Sequence, residues 1–422
     1  MMRRRGIALL ALGLVAVVAA ACSEKLESAV GCPELCPNQG IEVINVTIDP
    51  VVFDTTVRAE GPFGAEPFML LASRGDTLDS RVIIRYDSLP QRVRKTPGDS
   101  TTSPITTVDS AYIELRLDLS EKQMGTSLTV SAYDVDTDAN DTSVAALAPL
   151  FTADRLIGSQ QFASADLKDS VRVPLSNAAV LAKVQANAPL RIGLRITDGT
   201  GQFHVRSMEA GTPPTLYFRA VPDTLVPRIT LLPLSRTPED SLDQQVTLSD
   251  FQLVLRTPPP GSPQELLVGG LPSLRTYIRF LIPSSILDSS SVIRATLLLD
   301  QIPNTALGPL DTVFVVTHVA IGGKVITDPE QAARLIAASE LTQIDTLRVA
   351  ANASGIREID IAPVLRVWRA QGDTLGPRAL VLRSAREGVS AAQAWFTSAE
   401  GIPDTRPRLR ISYTPANPFG LP

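Results

Sequence analysis

Histidine is almost missing from this chain: His204 and His318 are the only two in 422 residues, beside three cysteines and two tryptophans. They fall one in each half, in strand-like segments, so they do not form a pair and read as structural groups. No G-x-S-x-G elbow, H-E-x-x-H helix or phosphate-cradling glycine loop is present, which leaves little to draw on for catalysis. An excess of positive charge is lacking too. With 44 acidic against 39 basic residues the net charge is −5, and nucleic acid is excluded as the expected partner. Aromatics are only 5% of the chain while prolines number 33, a balance that predicts many short strands built on aliphatic and β-branched residues. Hydrophobic residues at 44% and charged ones at 20% suit a folded protein. The length exceeds what one core usually serves, so two domains are expected.

Long apolar runs are confined to the N-terminus. Arg3, Arg4 and Arg5 precede an apolar stretch from Ile7 to Ala21 that is too short for a comfortable membrane-spanning helix of about 20 residues and reads as an export signal. The segment Val18-Ala19-Ala20-Ala21-Cys22-Ser23 resembles a bacterial lipobox, with Ala19 where leucine is usual. The resemblance implies cleavage before Cys22, acylation of its thiol and anchoring in a membrane. Ser23 implies sorting to the outer membrane. The alternative is an ordinary A-x-A cleavage that leaves a secreted protein. Cys32 and Cys36 then remain in Cys32-Pro33-Glu34-Leu35-Cys36, where an oxidising exterior predicts a disulfide that stiffens the tether.

The halves repeat one order of motifs. Arg81-Val82-Ile83-Ile84-Arg85-Tyr86, Asp109 to Asp118 and Ser127 to Tyr133 are matched in order by Arg275-Thr276-Tyr277-Ile278-Arg279-Phe280, Ser291 to Asp300 and Asp311 to Val316. All six have strand patterning. Val171-Arg172-Val173-Pro174 leads into Val180 to Val184 as Glu358-Ile359-Asp360-Ile361 leads into Val364 to Trp368, a strand entering a short helix each time. Each half closes with a strand, a turn and a strand, and in each a serine stands two residues before a glutamate: Ser207 and Glu209, Ser398 and Glu400.

The series Tyr277-Ile278-Arg279-Phe280, Ala295 to Leu299, Ile359-Asp360-Ile361, Val364 to Trp368, Phe396 to Glu400 and Arg406-Pro407-Arg408-Leu409 resembles the DNRLRE domain of bacterial surface proteins. That resemblance implies a β-sandwich related to carbohydrate-binding modules. The first half resembles the family more loosely, with Val184 where the tryptophan Trp368 stands and no arginine before Pro214; the second lacks the family's arginine before Glu400. The fold expected is all-β: two tandem antiparallel β-sandwiches, jelly-roll-like, with short accessory helices. The boundaries expected are a signal at 1–21, a lipidated tether at 22–44, a first sandwich at 45–221, a proline-rich connector at 222–249, a second sandwich at 250–415 and a tail at 416–422. Ile229 to Leu232 and Phe251 to Leu255 read as the opening strands of the second sandwich. Asp328-Pro329-Glu330-Gln331 carries the signals of a helix start.

Two ligand sites are candidates. Asp134, Asp136 and Asp138 place oxygen atoms at alternate positions, as calcium requires, although Ala139 stands where a glycine is expected and Ala145 where a glutamate is. A solvated turn is the plainer reading. Trp395 is predicted to point away from Phe396 along one strand, so its indole is the candidate to stack on a sugar ring. The function expected is that of a non-catalytic surface lipoprotein with carbohydrate as candidate ligand. The alternatives are a structural or adhesive envelope protein without a small ligand and, more remotely, a polysaccharide-active enzyme.

Overall fold

The computed structural model describes residues 43–59, 64–94, 100–137, 143–221, 228–235, 248–259, 261–262, 264–320, 343–371 and 378–415. Alternation builds the strands. Along Ser110–Met124, Ala111, Ile113, Leu115 and Leu117 are at most 7% exposed, while Tyr112, Glu114 and Arg116 project from the other face.

In chain order β1 (Ile44–Ile48) and β2 (Val51–Arg58) precede a first body of β3 (Phe68–Arg74), β4 (Leu78–Tyr86), the short β5 (Arg92–Val93) and β6 (Ser103–Pro104), β7 (Ser110–Met124), β8 (Ser127–Asp134), β9 (Leu156–Ala163), β10 (Ser170–Pro174), β11 (Leu190–Asp198), β12 (Gly201–Arg206) and β13 (Thr215–Arg219). Then β14 (Ile229–Leu231) and β15 (Asp250–Arg256) precede a second body of β16 (Glu265–Gly269), β17 (Leu274–Phe280), β18 (Ser290–Ile302), β19 (Thr312–Val319), β20 (Gln343–Ala350), β21 (Gly355–Asp360), β22 (Ala379–Ser384), β23 (Gln393–Thr397) and β24 (Arg408–Pro415). The hydrogen-bonded order β14-β13-β7-β12-β3-β4-β11-β8-β9 is matched, strand for strand, by β1-β24-β18-β23-β16-β17-β22-β19-β20. Off these paths, β10 and β15 flank β7 and β4 as β21 and β2 flank β18 and β17.

Each path folds into two layers around a core because one long strand serves both. The first part of β7 pairs with β10 and β13 and its last part with β12; β18 pairs with β21 and β24 and then with β23. Two antiparallel β-sandwiches result, as expected. Short helices cap them: Asn177–Ala186 buries Val180 and Val184, started by Ser176, whose hydroxyl accepts from the Ala179 amide at 3.3 Å. In the second sandwich Ala362–Gln371 sets Trp368, 3% exposed, 5.9 Å from the Phe280 ring.

The opening strands differ from expectation. Ile229–Leu231 pairs with β13, and Phe251 to Leu255 lies in β15 against β4, so both complete the first sandwich rather than open the second. Conversely β1 and β2, placed by sequence in the first sandwich, pair with β24 and β17 of the second. The physical reason is pairing: strand composition marks a strand but not which edge takes it, and each arm fits the other body's edge. The predicted helix start at Asp328 lies outside the described residues.

The same contacts seat both arms. Asp250, opposite Ile84, accepts the Met208 amide at 3.0 Å, and Asp54, opposite Ile278, accepts the Ala399 amide at 2.7 Å. These amides lie between the serine and glutamate of the repeated motif, so Ser207-Met208-Glu209 and Ser398-Ala399-Glu400 are arm-docking turns. Two residues on, Gln252 Oε1 accepts the Leu70 amide at 2.9 Å, as Thr56 Oγ1 accepts that of Leu267 at 2.9 Å.

The two sandwiches share a junction. Leu70, Ala72 and Leu78 meet Leu271 and Ala391 in one apolar cluster. Around it Arg74 forks onto Asp311 at 2.7 and 2.9 Å, and Asp311 also accepts from Gln123 at 2.8 Å and the Gly308 amide at 2.7 Å. Arg386 reaches across to Glu121 at 3.1 Å, and within the second sandwich Arg275 holds the neighbouring Glu387 at 2.7 Å through both nitrogens.

Candidate functional site

Of the residues singled out by sequence, Cys22, Cys32, Cys36 and Asp138 lie outside the described residues. Asp134 and Asp136 come together, but around a side-chain cation: Lys183 Nζ sits 2.9 Å from one carboxylate and 3.0 Å from the other, and Arg191 lies 3.7 Å from Asp136. An ammonium thus already bridges the two carboxylates, offsetting one of their two charges. Among the described residues no cluster of three or more metal-ligating side chains occurs.

Trp395 and Phe396 do alternate, Phe396 being fully buried and Trp395 half-buried. The indole lies across from Leu267 and Ile302, and its N–H donates to Gln393 Oε1 at 2.6 Å. Gln393 in turn lines a cleft of about 240 Å³ together with Leu271, Pro272 and Leu274. The indole is held by its neighbours more than presented to solvent.

The histidines are packing groups. His204, 1% exposed, places Nε2 2.7 Å from the Val389 carbonyl across the junction, and burial holds its pKa below the usual value. Neutral, it donates there. His318, 2% exposed, accepts from Arg383 Nε at 3.0 Å; burial and then the Arg383 and Arg275 charges lower its pKa to about 4.

The densest display of recognition chemistry lies elsewhere, on the outer layer β10-β7-β13-β14. Register puts Pro174, Tyr112, Tyr217 and Thr230 in one row across the four strands. Since side chains alternate, Glu114 and Arg116 share the face on β7, Arg172 on β10, Thr215 and Arg219 on β13 and Arg228 just before β14. Tyr112 and Tyr217 stack with centroids 5.2 Å apart at 28°. Arg172 lies 4.8 Å over Tyr112, and Arg228 lies 4.2 Å over Tyr217 while donating to the Tyr112 hydroxyl. Glu114 accepts from Arg172 at 3.0 Å and pairs with Arg116 at 3.1 Å.

The result is a ladder of guanidinium and phenol groups. Four arginines against Glu114 and Asp118 leave it net cationic on a chain whose net charge is −5. Beyond Arg116 the face runs into an open groove of about 360 Å³ lined by Asp118, Asp169, Arg206 and Thr212. From Ser110 to Asp118 the strand spans roughly 26 Å at about 3.3 Å per residue. Sequence reading passed over these tyrosines because they are distant in the chain, Tyr112 in one motif and Tyr217 in another. The usable signal was the alternation in Tyr112-Ile113-Glu114-Leu115-Arg116 and Leu216-Tyr217-Phe218-Arg219, which puts tyrosine and arginine on the solvent side of both strands.

No known protein family and no curated protein matches the sequence. Among solved structures, the C-terminal domain of the Streptococcus agalactiae AgI/II polypeptide BspA is 7% identical, with 86% of this chain and 91% of that one covered at a TM-score of 0.18. The C-terminal domain of the Streptococcus pyogenes antigen I/II-family protein AspA is 7% identical, covering 84% of this chain and 92% of that one at 0.15. A T=1 particle derived from infectious bursal virus is 10% identical, covering 90% and 76% at 0.11. At such scores the likenesses carry no functional argument.

Proposed function

We propose that this chain is a non-catalytic bacterial surface lipoprotein of the DNRLRE type, anchored through Cys22 at the outer membrane, whose first sandwich binds an acidic polysaccharide. The observation that carries the ligand is the arginine–tyrosine ladder. Guanidinium groups fit carboxylates through paired hydrogen bonds, and phenol hydroxyls add directional donors and acceptors for sugar hydroxyls. A flat, open sheet face suits an extended polymer better than a compact metabolite, which needs a concave site. The anchor rests on the resemblance of residues 18–23 to a lipobox. Among the described residues no helix is long and apolar enough to cross a membrane.

Titration calorimetry with a polyuronate and with a neutral glucan tests the ligand. The polyuronate is expected to bind, weakening as salt rises because exposed charges are screened over about 10 Å at 0.1 M. Replacing Tyr217→Ala with Arg228→Gln is expected to weaken binding at least tenfold, while Trp395→Ala leaves it unchanged. Equal binding of neutral and acidic polymers, or sensitivity to Trp395 alone, would move the site to the second sandwich. A rigid structural role is favoured by one other observation, the polar junction that ties the sandwiches together, and it predicts no polymer binding at all.

A further inference from the structure

Each body is completed by the arm that precedes the other body in the chain. β14 and β15 lead into the second body yet pair with the first, while β1 and β2 lead into the first body yet pair with the second. Two chains exchanging arms would make the same contacts, because an arm's partners are set by the edge it meets and not by the connection behind it. The molecule has the form of an arm-exchanged dimer joined into one polypeptide.

The two arms are held unequally. In β15, Phe251 is 1% and Leu253 2% exposed, and they pack with Ile83, Tyr133, Val135, Leu147 and Phe151 in a cluster of their own. The N-terminal arm buries Val57 at 7% and Asp54 at 8% but leaves Val52 50% and Phe53 38% exposed, and Val46, Ile48 and Val51 are only partly buried against the second core. β1 and β2 pair along more backbone than β14 and β15 but hold fewer fully buried side chains than β15, so they have less side-chain burial to lose on opening than β15 does. Opening uncovers two edges, β24 from Leu409 to Tyr413 and β17 from Leu274 to Phe280, whose backbone groups then lack partners.

We propose that these edges accept the N-terminal arm of a second copy of this chain, so that copies join through reciprocal or serial exchange of Ile44–Arg58. The occupant is specified by side chains as well as backbone. An incoming strand must bring a carboxylate to the Ala399 amide, where Asp54 sits at 2.7 Å, and a hydroxyl to the Leu267 amide, where Thr56 sits at 2.9 Å. The arm's own sequence meets both demands. Because the attached arm competes at high effective concentration, exchange is favoured where copies are crowded. The inference is independent of the polysaccharide reading.

The register supplies the test. Asn45 and Ser412 face each other at the surface, with Ser412 Oγ donating to Asn45 Oδ1 at 2.6 Å. In chains with Cys22, Cys32 and Cys36 replaced by serine, one preparation carries Asn45→Cys and another Ser412→Cys. After co-incubation at high concentration and mild oxidation, a disulfide joining positions 45 and 412 of different chains is expected. It should exceed by at least tenfold the product formed between Asn45→Cys and Ser354→Cys, which measures random collision. The double variant in one chain, expected to close internally, confirms that the thiols are in register. Heterotypic product no higher than the collision control, with the double variant closing normally, overturns the proposal. Failure of the double variant to close overturns the strand pairing on which it stands.

Discussion

As pH rises from about 4 to about 8, the Asp250→Asn variant is expected to gain stability over the unchanged chain, reaching at most about 4 kcal/mol above pH 7. Asp250 is 1% exposed, and burial, followed by the nearby Glu209 charge, raises its pKa from 3.8 to about 7. The folded chain therefore holds a proton between about pH 4 and pH 7 that the unfolded chain has released. Stability from this group is fully present below the unfolded value and is lost as pH climbs through the folded one. Asparagine still accepts the Met208 amide but carries no charge to bury, so the variant escapes the loss. Asp54, raised to about 6 by burial against the lowering effect of the Ala399 amide, is expected to behave alike with a smaller amplitude, being nearer water at 8% exposed.

His318, with its pKa lowered to about 4, works in the opposite sense: the folded chain binds fewer protons there, so its contribution rises through the same acid range. His204 is shifted in the same direction. The total pH profile therefore mixes signs, and the informative quantity is the difference between variant and unchanged chain, from which the histidines cancel. Urea unfolding at several pH values measures it. A difference that stays constant from pH 4 to pH 8 would show that Asp250 is not protonated in the fold.

The two aspartates also show what a sequence can and cannot disclose. The repeat was legible because alternation and order are local properties: Arg81 to Tyr86 and Arg275 to Phe280 announce equivalent strands, and Val364 to Trp368 announces the capping helix Ala362–Gln371. The serine–glutamate motif was visible as well, but its purpose was not. Its middle amide serves a carboxylate 42 residues away in one case and 345 in the other, and no short-range pattern encodes such a partner. The crossed pairing of the arms was hidden for the same reason. Val51–Arg58 reads as a strand wherever it goes, and only the register of Asp54 and Thr56 against the second body decides its place. For the site, the acidic run places Asp134 and Asp136 together, but the ammonium beside them was not legible from it, since Lys183 comes from a helix far along the chain.

Arg74→Ala is expected to destabilise the protein by about 3 kcal/mol, and the pair Arg74→Met with Asp311→Leu by much less. What is left behind sets the cost. Asp311 is 3% exposed at the junction, its carboxylate satisfied by the Arg74 fork, Gln123 and the Gly308 amide. Removing the guanidinium leaves a full negative charge in a largely dry site with only neutral donors, and an uncompensated buried charge costs far more than the pair itself contributed. Arg74 keeps 20% of its side chain in contact with solvent, so water can partly replace it, which sets the expectation at the lower end of the range for broken buried pairs. Removing both charges deletes the uncompensated group and puts apolar side chains of similar volume in its place. A double-mutant cycle by chemical unfolding separates the terms: near-additive losses would mean that the ion pair contributes little coupling. Recovery in the double variant would show that the two sandwiches are held together mainly by packing and the crossed arms, with the charges fixing how they are aligned.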